Sequence, residues 1–97
     1  MAVGDVVSAI SSVAAGEYLD LQPSGTVEWV IHNIYHEYDV QIEFYDGSNS
    51  LIFDTDTGAG AYARFAFHCT NSRRIRVKNT HGTAAKLIGY DGIVTHA

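Results

Sequence analysis

The feature that most constrains the fold is a series of short apolar runs, which turn-forming residues interrupt about every eight to twelve positions. In one run, Val40, Ile42 and Phe44 alternate with the polar Gln41 and Glu43. Successive side chains of a β-strand point to opposite faces, so this alternation predicts a strand with one apolar and one polar face. Repeated along the chain, the pattern is typical of an all-β sandwich or barrel.

The turn signals divide the chain into seven or eight predicted antiparallel strands. Pro23 and Gly25 end one strand, because proline lacks an N–H group and glycine tolerates positive φ. Residues 46–49 supply a tight hairpin turn, and residues 54–61 are predicted to be the loosest internal loop. The predicted strands cover residues 17–22, 26–35, 40–45, 51–53, 62–69, 74–79 and 84–90, and residues 93–94 are predicted to pair at an edge. We therefore predict one β-sandwich domain, jelly-roll-like, over residues 16–97.

Residues 1–15 fit two different structures. Val6, Val7, Ile10 and Val13 recur at helical spacing. The same segment is rich in β-branched residues and serine, which favours an extended arm or an edge strand. An extended segment of this length spans up to ~50 Å. We therefore predict an arm or edge segment whose Val6, Val7, Ile10 and Val13 side chains contact a neighbouring subunit.

Composition excludes several classes of protein. Hydrophobic residues make up 46% and charged residues 18% of the chain, which is too apolar for intrinsic disorder. Cys69 is the single cysteine, so no intramolecular disulfide can form, and we expect its side chain to be buried. We expect neither a signal peptide nor a membrane span, because the sequence shows no basic and apolar leader and only short apolar runs. The net charge of −5 argues against nucleic acid as a partner.

The charges are distributed unevenly along the chain. Residues 1–63 contain ten of the eleven acidic residues and no Lys or Arg, and all six Lys and Arg residues follow position 63. Opposite fields attract, so either the two parts face each other in one fold, or the acidic surface of one copy meets the basic surface of another. Charge of this kind bears on association rather than on fold. The distribution therefore indicates an interaction protein.

The basic run contains the strongest candidates for a contact surface. Arg74, Arg76 and Lys78 share one face of a predicted strand, and Arg73 precedes them. Cations on one strand face repel each other unless acidic groups compensate them. Three interpretations are open: a solvated face with intramolecular ion pairs, a contact with a second subunit or a larger assembly, and binding of nucleic acid or of a glycan phosphate. The acidic part offers partners at Glu28, Glu37, Asp39 and Glu43.

Aromatic residues are numerous, and most of them are expected in the core. That expectation applies to Trp29, Phe44, Phe53, Phe65 and Phe67. The six tyrosines are many for a chain of this length, and tyrosine is common both in protein interfaces and in sugar-binding clefts. The most plausible exposed cluster is Tyr35, His36 and Tyr38.

No catalytic or metal-binding pattern is present in the sequence. The five histidines are scattered, and His68 and Cys69 would point to opposite faces of a strand. Asp54 and Asp56 have the spacing of a calcium loop, but the later bidentate glutamate is missing, and only a looser site shared with Asp46 stays open. No Gly-x-Ser-x-Gly or phosphate-binding glycine loop occurs. We therefore expect no enzymatic activity, no cofactor and no bound metal.

Several segments carry a resemblance to a known group of proteins. They are Tyr-Leu-Asp-Leu-Gln-Pro-Ser-Gly at 18–25, Glu-Trp-Val-Ile-His-Asn-Ile at 28–34, Tyr-Asp-Gly-Ser-Asn at 45–49, Phe-His-Cys-Thr-Asn-Ser at 67–72, Arg-Val-Lys-Asn at 76–79 and Gly-Tyr-Asp-Gly at 89–92. Over about residues 16–94 the chain resembles small β-sandwich proteins that decorate, or cement, the capsids of tailed bacteriophages. The resemblance lies in strands and turns, and no catalytic signature contributes to it.

The resemblance implies a function and a set of partners. It implies a homo-oligomer, most simply a trimer, that is made in the host cytoplasm and binds the major capsid protein lattice on the virion surface. Neither nucleic acid nor a membrane is expected as a partner. The alternative is a receptor- or carbohydrate-binding β-sandwich module of a tail fibre or baseplate. An exposed Tyr or Trp cluster beside Asn or Asp would favour that alternative.

Overall fold

The computed structural model describes residues 2–97 as nine β-strands without a helix, and all strand pairs are antiparallel. The strands are β1 (Val6–Val13), β2 (Tyr18–Leu21), β3 (Glu28–His36), β4 (Val40–Tyr45), β5 (Ser50–Asp56), β6 (Gly60–Tyr62), β7 (Phe67–Cys69), β8 (Arg74–Asn79) and β9 (Lys86–His96). The all-β prediction is confirmed.

The strands form two sheets with the connectivity of a jelly roll. The first sheet has the order β1-β9-β3, and both β6 and β7 pair with the free edge of β3. The second sheet has the order β2-β8-β4-β5. We count β6 and β7 as one interrupted strand. The pairs are then β1 with β9, β2 with β8, β3 with β6 and β7, and β4 with β5, so that strands from the two ends of the chain pair in turn. This is the order that results when a long hairpin is rolled into two facing sheets.

The core lies between the two sheets and takes one side chain from every second position. It contains Ile31, Ile34, Ile88 and Val94 of the first sheet and Leu21, Ile42 and Val77 of the second, all of them fully or almost fully buried. Fully burying an aliphatic side chain of this size contributes ~1.5–3 kcal/mol. Cys69 is also completely buried, as expected from the sequence, and burial raises the pKa of its thiol.

The N-terminal segment lies in the sheet as an edge strand. All eight residues of β1 pair with β9, from Val6 opposite Ile93 to Val13 opposite Lys86. Val7 and Val13 point into the core and are 3% and 5% exposed. These two valines were predicted to contact a neighbouring subunit, and the structure places them in the interior of their own chain instead.

Three strand predictions differ from the structure. The predicted loop at residues 54–61 is largely strand, because β5 continues to Asp56 and β6 begins at Gly60. The strand predicted over residues 62–69 is broken between β6 and β7, where Arg64 has a positive φ of 66°. Residues 84–90 and 93–94, which were predicted as separate elements, belong to β9 in the middle of the first sheet.

A buried asparagine joins the ends of the two sheets. The Asn79 side-chain amide donates hydrogen bonds to the carbonyl oxygens of Val13 (2.8 Å) and Ala84 (2.9 Å). Its side-chain oxygen accepts a hydrogen bond from the backbone N–H of His81 at 2.9 Å. These bonds satisfy a polar side chain that has no exposed surface. Asn79 thereby fixes the end of β8 in the second sheet against the end of β1 in the first.

Candidate binding surfaces

The cationic stripe, formed by Arg74, Arg76 and Lys78 on β8, lies on the outer face of the second sheet. Asp20 on the neighbouring β2 accepts hydrogen bonds from Arg76 Nε at 2.7 Å and from Arg74 Nε at 3.2 Å. The register explains this contact, since Asp20 lies directly opposite Arg76. Arg74 and Arg76 therefore form ion pairs within their own chain, as the first interpretation of the sequence predicted.

Tyrosine rings flank the same stripe. The Arg76 guanidinium lies 4.0 Å from the centre of the Tyr18 ring, and Arg74 lies 4.7 Å from that of Tyr45. Lys78 is farther away, at 5.6 Å from the Tyr18 ring. Stacking of this kind spreads and shields the positive charge. The stripe is thus a largely self-compensated surface.

Glu43 on β4 supplies a second, less exposed carboxylate to this face. It is 4% exposed and accepts hydrogen bonds from the Ser50 hydroxyl at 2.6 Å and the Gln41 amide at 3.2 Å. Burial pushes the pKa of Glu43 upward. The hydrogen bonds from Ser50, Tyr18 and Gln41, together with the charge of Arg76, outweigh burial and lower the pKa overall. Glu43 is therefore held as a carboxylate beside the stripe.

The apolar strip consists of Val6 and Ile10 on β1 and Leu87 and Ile93 on β9, all on the outer face of the first sheet. Val6 and Ile10 are 72% and 73% exposed, and Leu87 is 50% exposed. Val6 lies opposite Ile93, and Ile10 lies opposite Gly89, over which its side chain folds. On this face Ser8 and Asp91, which lie opposite each other, separate Val6 and Ile93 from Ile10 and Leu87. Several exposed apolar side chains on one face commonly mark an interaction site. Val6 and Ile10 are thus the members of the predicted N-terminal contact set that face the solvent.

A polar cluster lies beside the strip on the same face. Asp91 accepts hydrogen bonds from the Asn33 amide at 2.6 Å and from the Tyr35 hydroxyl at 2.7 Å. The bond to Asp91 raises the pKa of the exposed Tyr35 hydroxyl. A shallow depression of about 380 Å³ lies next to this group, and Ser8 and Ile10 are among the residues that line it. We call Asn33, Tyr35 and Asp91 the Asp91 cluster.

The exposed cluster predicted at Tyr35, His36 and Tyr38 does not form. Tyr35 and His36 point to opposite faces of β3, and His36 is only 6% exposed. Its Nδ1–H donates to the Glu37 carbonyl at 2.7 Å, and its Nε2 lies 3.6 Å from an Asp56 carboxylate oxygen. Tyr38 lies elsewhere, with the Lys86 ammonium 3.7 Å from its ring centre. The alternation of β3 explains the separation, because consecutive residues of a strand cannot share a face.

The aromatic cleft lies at the side of the molecule where β5 and β7 face each other. Phe44, Phe53 and Phe67 line an open hollow of about 510 Å³ together with Ile75 and Arg73. Phe44 is 39% and Phe53 43% exposed, whereas the sequence predicted both in the core. The prediction fails because Phe44 and Phe53 line this open hollow, which leaves their side chains in contact with solvent. Phe65, also expected in the core, is exposed and stacks on Phe67 with 5.3 Å between ring centres.

The three acidic residues considered for a calcium site, Asp46, Asp54 and Asp56, each contact a different partner. Asp54 accepts a hydrogen bond from the Tyr62 hydroxyl at 2.6 Å, and Asp56 faces His36. Asp46 accepts hydrogen bonds from backbone N–H groups within its own hairpin turn. Across residues 2–97, no group of three or more His, Cys, Asp or Glu side chains is arranged to hold a metal ion.

No protein-family model matches the sequence, and no curated protein matches it at a significant level. In the part of the chain that the structure describes, no helix is long and apolar enough to cross a lipid bilayer.

Proposed function

We propose that this protein decorates and stabilises a phage capsid by binding the capsid lattice as a symmetric oligomer, most simply a trimer. The observation that supports the proposal is the apolar strip, whose Val6 and Ile10 residues are 72% and 73% exposed in the single chain. The jelly-roll sandwich and the resemblance to capsid decoration proteins support the same function. No cofactor takes part in it.

The physical basis of cementing is burial of apolar surface that a free subunit leaves in water. Each square ångström of apolar surface removed from water contributes ~25 cal/mol, before the losses of translational and rotational freedom on association. A protein that binds only the assembled lattice stabilises the assembled state by mass action. Exposed aliphatic side chains on a rigid sheet suit this role, because little conformational entropy is lost when they are covered.

The test combines a mass measurement with binding to particles. Light scattering behind a sizing column gives the mass of the protein in solution, and co-sedimentation with capsids of the phage that encodes it gives lattice binding. We expect the wild type to be oligomeric and to sediment with the capsids. Ile10→Lys places a charge in the strip and is expected to abolish the oligomer. Ser24→Lys, in an exposed turn, is the matched control.

Two results would contradict the proposal. One is a wild-type protein that stays monomeric at high concentration and binds no assembled particle. The other is an Ile10→Lys protein that keeps the wild-type mass and lattice binding, since the strip would then have no role in either contact.

A second function, binding of a carbohydrate receptor, is favoured by the Asp91 cluster. An exposed tyrosine beside an asparagine and a carboxylate offers a sugar both a ring face and hydrogen-bonding groups. On this alternative, Tyr35→Ala and Asp91→Ala should remove binding on a glycan array. Capsid binding by the wild type, together with no binding to any glycan on the array, would contradict the carbohydrate-binding function.

A further inference from the structure

Two of the exposed apolar surfaces within residues 2–97 differ in shape. The apolar strip lies on the outer face of a sheet along edge strand β1, and the aromatic cleft is a hollow beside edge strand β5. We infer that the aromatic cleft of one copy receives the apolar strip of a second copy, so that subunits associate head to tail. This inference rests on the self-association proposed above and specifies its contact surfaces.

The lining of the cleft suits an aliphatic side chain. Phe53 is the residue left unpaired at the irregularity between β4 and β5, where Ile42 pairs with Asp54 but Glu43 pairs with Ile52. Released from the regular pairing, the Phe53 ring lies 6.0 Å from that of Phe67. The rings leave an apolar hollow that the chain itself does not fill. Clefts with such linings are typical sites for a partner's apolar groups.

The charges around the two surfaces are complementary. Asp5 directly precedes the strip, and Asp91 lies on the same face between its members. Arg73 lines the cleft, and within residues 2–97 no carboxylate lies within ion-pair distance of it. Arg73 Nε donates a hydrogen bond to the Asp46 carbonyl oxygen at 3.4 Å, and the pKa of Asp46 is lowered first by hydrogen bonds from Asn49 and Ser48 and further by the charge of Arg73. A second copy's carboxylate could therefore pair with the guanidinium at the rim of the contact.

A contact of this kind is heterologous, because one subunit uses its strip and the other uses its cleft. Heterologous contacts generate closed rings when the rotation between neighbours closes, and a trimer is one such ring. Both surfaces adjoin the outermost strands of their sheets, where backbone groups are free to meet a neighbour. An isologous contact, by contrast, would pair strip with strip and leave the cleft empty.

Complementary variants distinguish the two arrangements. Ile10→Lys destroys the strip, and Phe53→Ser destroys the cleft at a residue that is already 43% exposed. In head-to-tail association each variant alone should elute as a monomer of about 10.6 kDa. In an equimolar mixture, the intact strip of Phe53→Ser can bind the intact cleft of Ile10→Lys. The strip and cleft that remain free in this pair are both damaged, so no third subunit can bind. The mixture should therefore form a dimer and nothing larger.

Circular dichroism and thermal melting establish that the variants are folded. If Phe53→Ser does not fold, Arg73→Glu replaces it. Arg73→Glu leaves the rings in place, should weaken association by about tenfold, and should be rescued by Asp5→Lys in the same chain. A Phe53→Ser protein that keeps the wild-type mass, an Arg73→Glu protein that associates as tightly as the wild type, or a mixture of Phe53→Ser and Ile10→Lys that stays monomeric overturns the head-to-tail inference, while an oligomeric wild type upholds self-association. A monomeric wild type overturns both.

Discussion

Gly92 lies where β9 passes closest to β3. A Cβ atom at this position would lie 2.1 Å from the Val30 carbonyl oxygen and 2.8 Å from the Ile31 Cα, both of which are backbone atoms. The register of β3 shifts between Ile31 and Asn33 at the same place, so an extra residue bulges opposite Gly92. The absence of a side chain at Gly92 is therefore what allows the two central strands to pair through the bulge.

Gly92→Ala should be strongly destabilising, because neither backbone can move without breaking the central pairing of the first sheet. We expect a loss of at least ~3 kcal/mol in the free energy of unfolding, which lowers the melting temperature by more than about 10 °C in a domain of this size. Gly82→Ala is the matched control, since no atom lies within 4 Å of the added methyl group and its φ is not positive. Equal melting temperatures for the two variants would contradict this role of Gly92.

The faces of individual residues were only partly predictable. Alternation placed Val40, Ile42, Ile75 and Val77 correctly in the core. At the start of β1 the sequence has valine at both 6 and 7, so alternation alone could not decide which of them points inward. The register with β9 decides it, and that register depends on a partner strand about eighty residues away.

At the scale of elements, the outer face of the second sheet shows how three strands share charge. β2 supplies Asp20, β4 supplies Glu43, and both flank the cations of β8. Exposed ion pairs contribute only ~0–1 kcal/mol each. Glu43 differs because it is only 4% exposed and its carboxylate accepts several hydrogen bonds. It is therefore the member of this group from which we expect a measurable dependence of stability on pH.

The dependence has a definite sign. Because the pKa of folded Glu43 lies below the ordinary value of 4.5, the ionised side chain stabilises the fold at neutral pH. This contribution is lost as the pH falls below about 4.5 toward the folded-state pKa. Glu43→Gln should therefore unfold at lower urea concentration than the wild type near pH 7, and the difference should shrink by about pH 3.

Glu28→Gln serves as the control for this comparison, because Glu28 is exposed on the first sheet. We expect it to change the free energy of unfolding by less than ~0.5 kcal/mol at either pH. The difference in unfolding urea concentration between Glu43→Gln and the wild type could also be the same at both pH values. In that case ionisation of Glu43 would not be its source.

The strand boundaries that sequence reasoning missed have physical causes in pairing between distant elements. Gly89, Asp91 and Gly92 favour a turn locally, yet β9 runs straight through them because β1 and β3 pair with it on both sides. Asp54 and Asp56 have low strand preference, yet β5 includes them because they pair with Ile42 and Val40 of β4. In both places tertiary pairing overrides local propensity.

For the whole molecule, the uneven charge distribution is partly neutralised within the fold. The acidic part of the chain supplies β2 and β4, the basic part supplies β8, and these strands are neighbours in the second sheet. The jelly-roll order follows from the same rolling of the chain, which brings early and late strands together. The short alternating apolar runs were enough to predict a β-sandwich from the sequence. The aromatic cleft could not be predicted from the sequence, because its lining comes from strands that are brought together only in the folded chain.

This distribution of charge predicts how assembly should respond to salt. The cationic stripe is compensated within each chain, and the proposed contact between copies is apolar with ion pairs only at its rim. Rim pairs are weak and screened, whereas burial of apolar surface persists in salt. We therefore expect the dissociation constant of the oligomer to rise by less than about tenfold between roughly 50 and 500 mM sodium chloride.

Sedimentation equilibrium at several protein concentrations measures this constant, and ammonium sulfate provides the opposite test. Sulfate is excluded from protein surfaces and strengthens apolar burial, so it should tighten the oligomer. Ser24→Lys, which adds a charge away from the strip, should respond to both salts as the wild type does. Complete dissociation in concentrated sodium chloride would instead mean that oppositely charged surfaces hold the copies together, and the cationic stripe would then be the contact to mutate first.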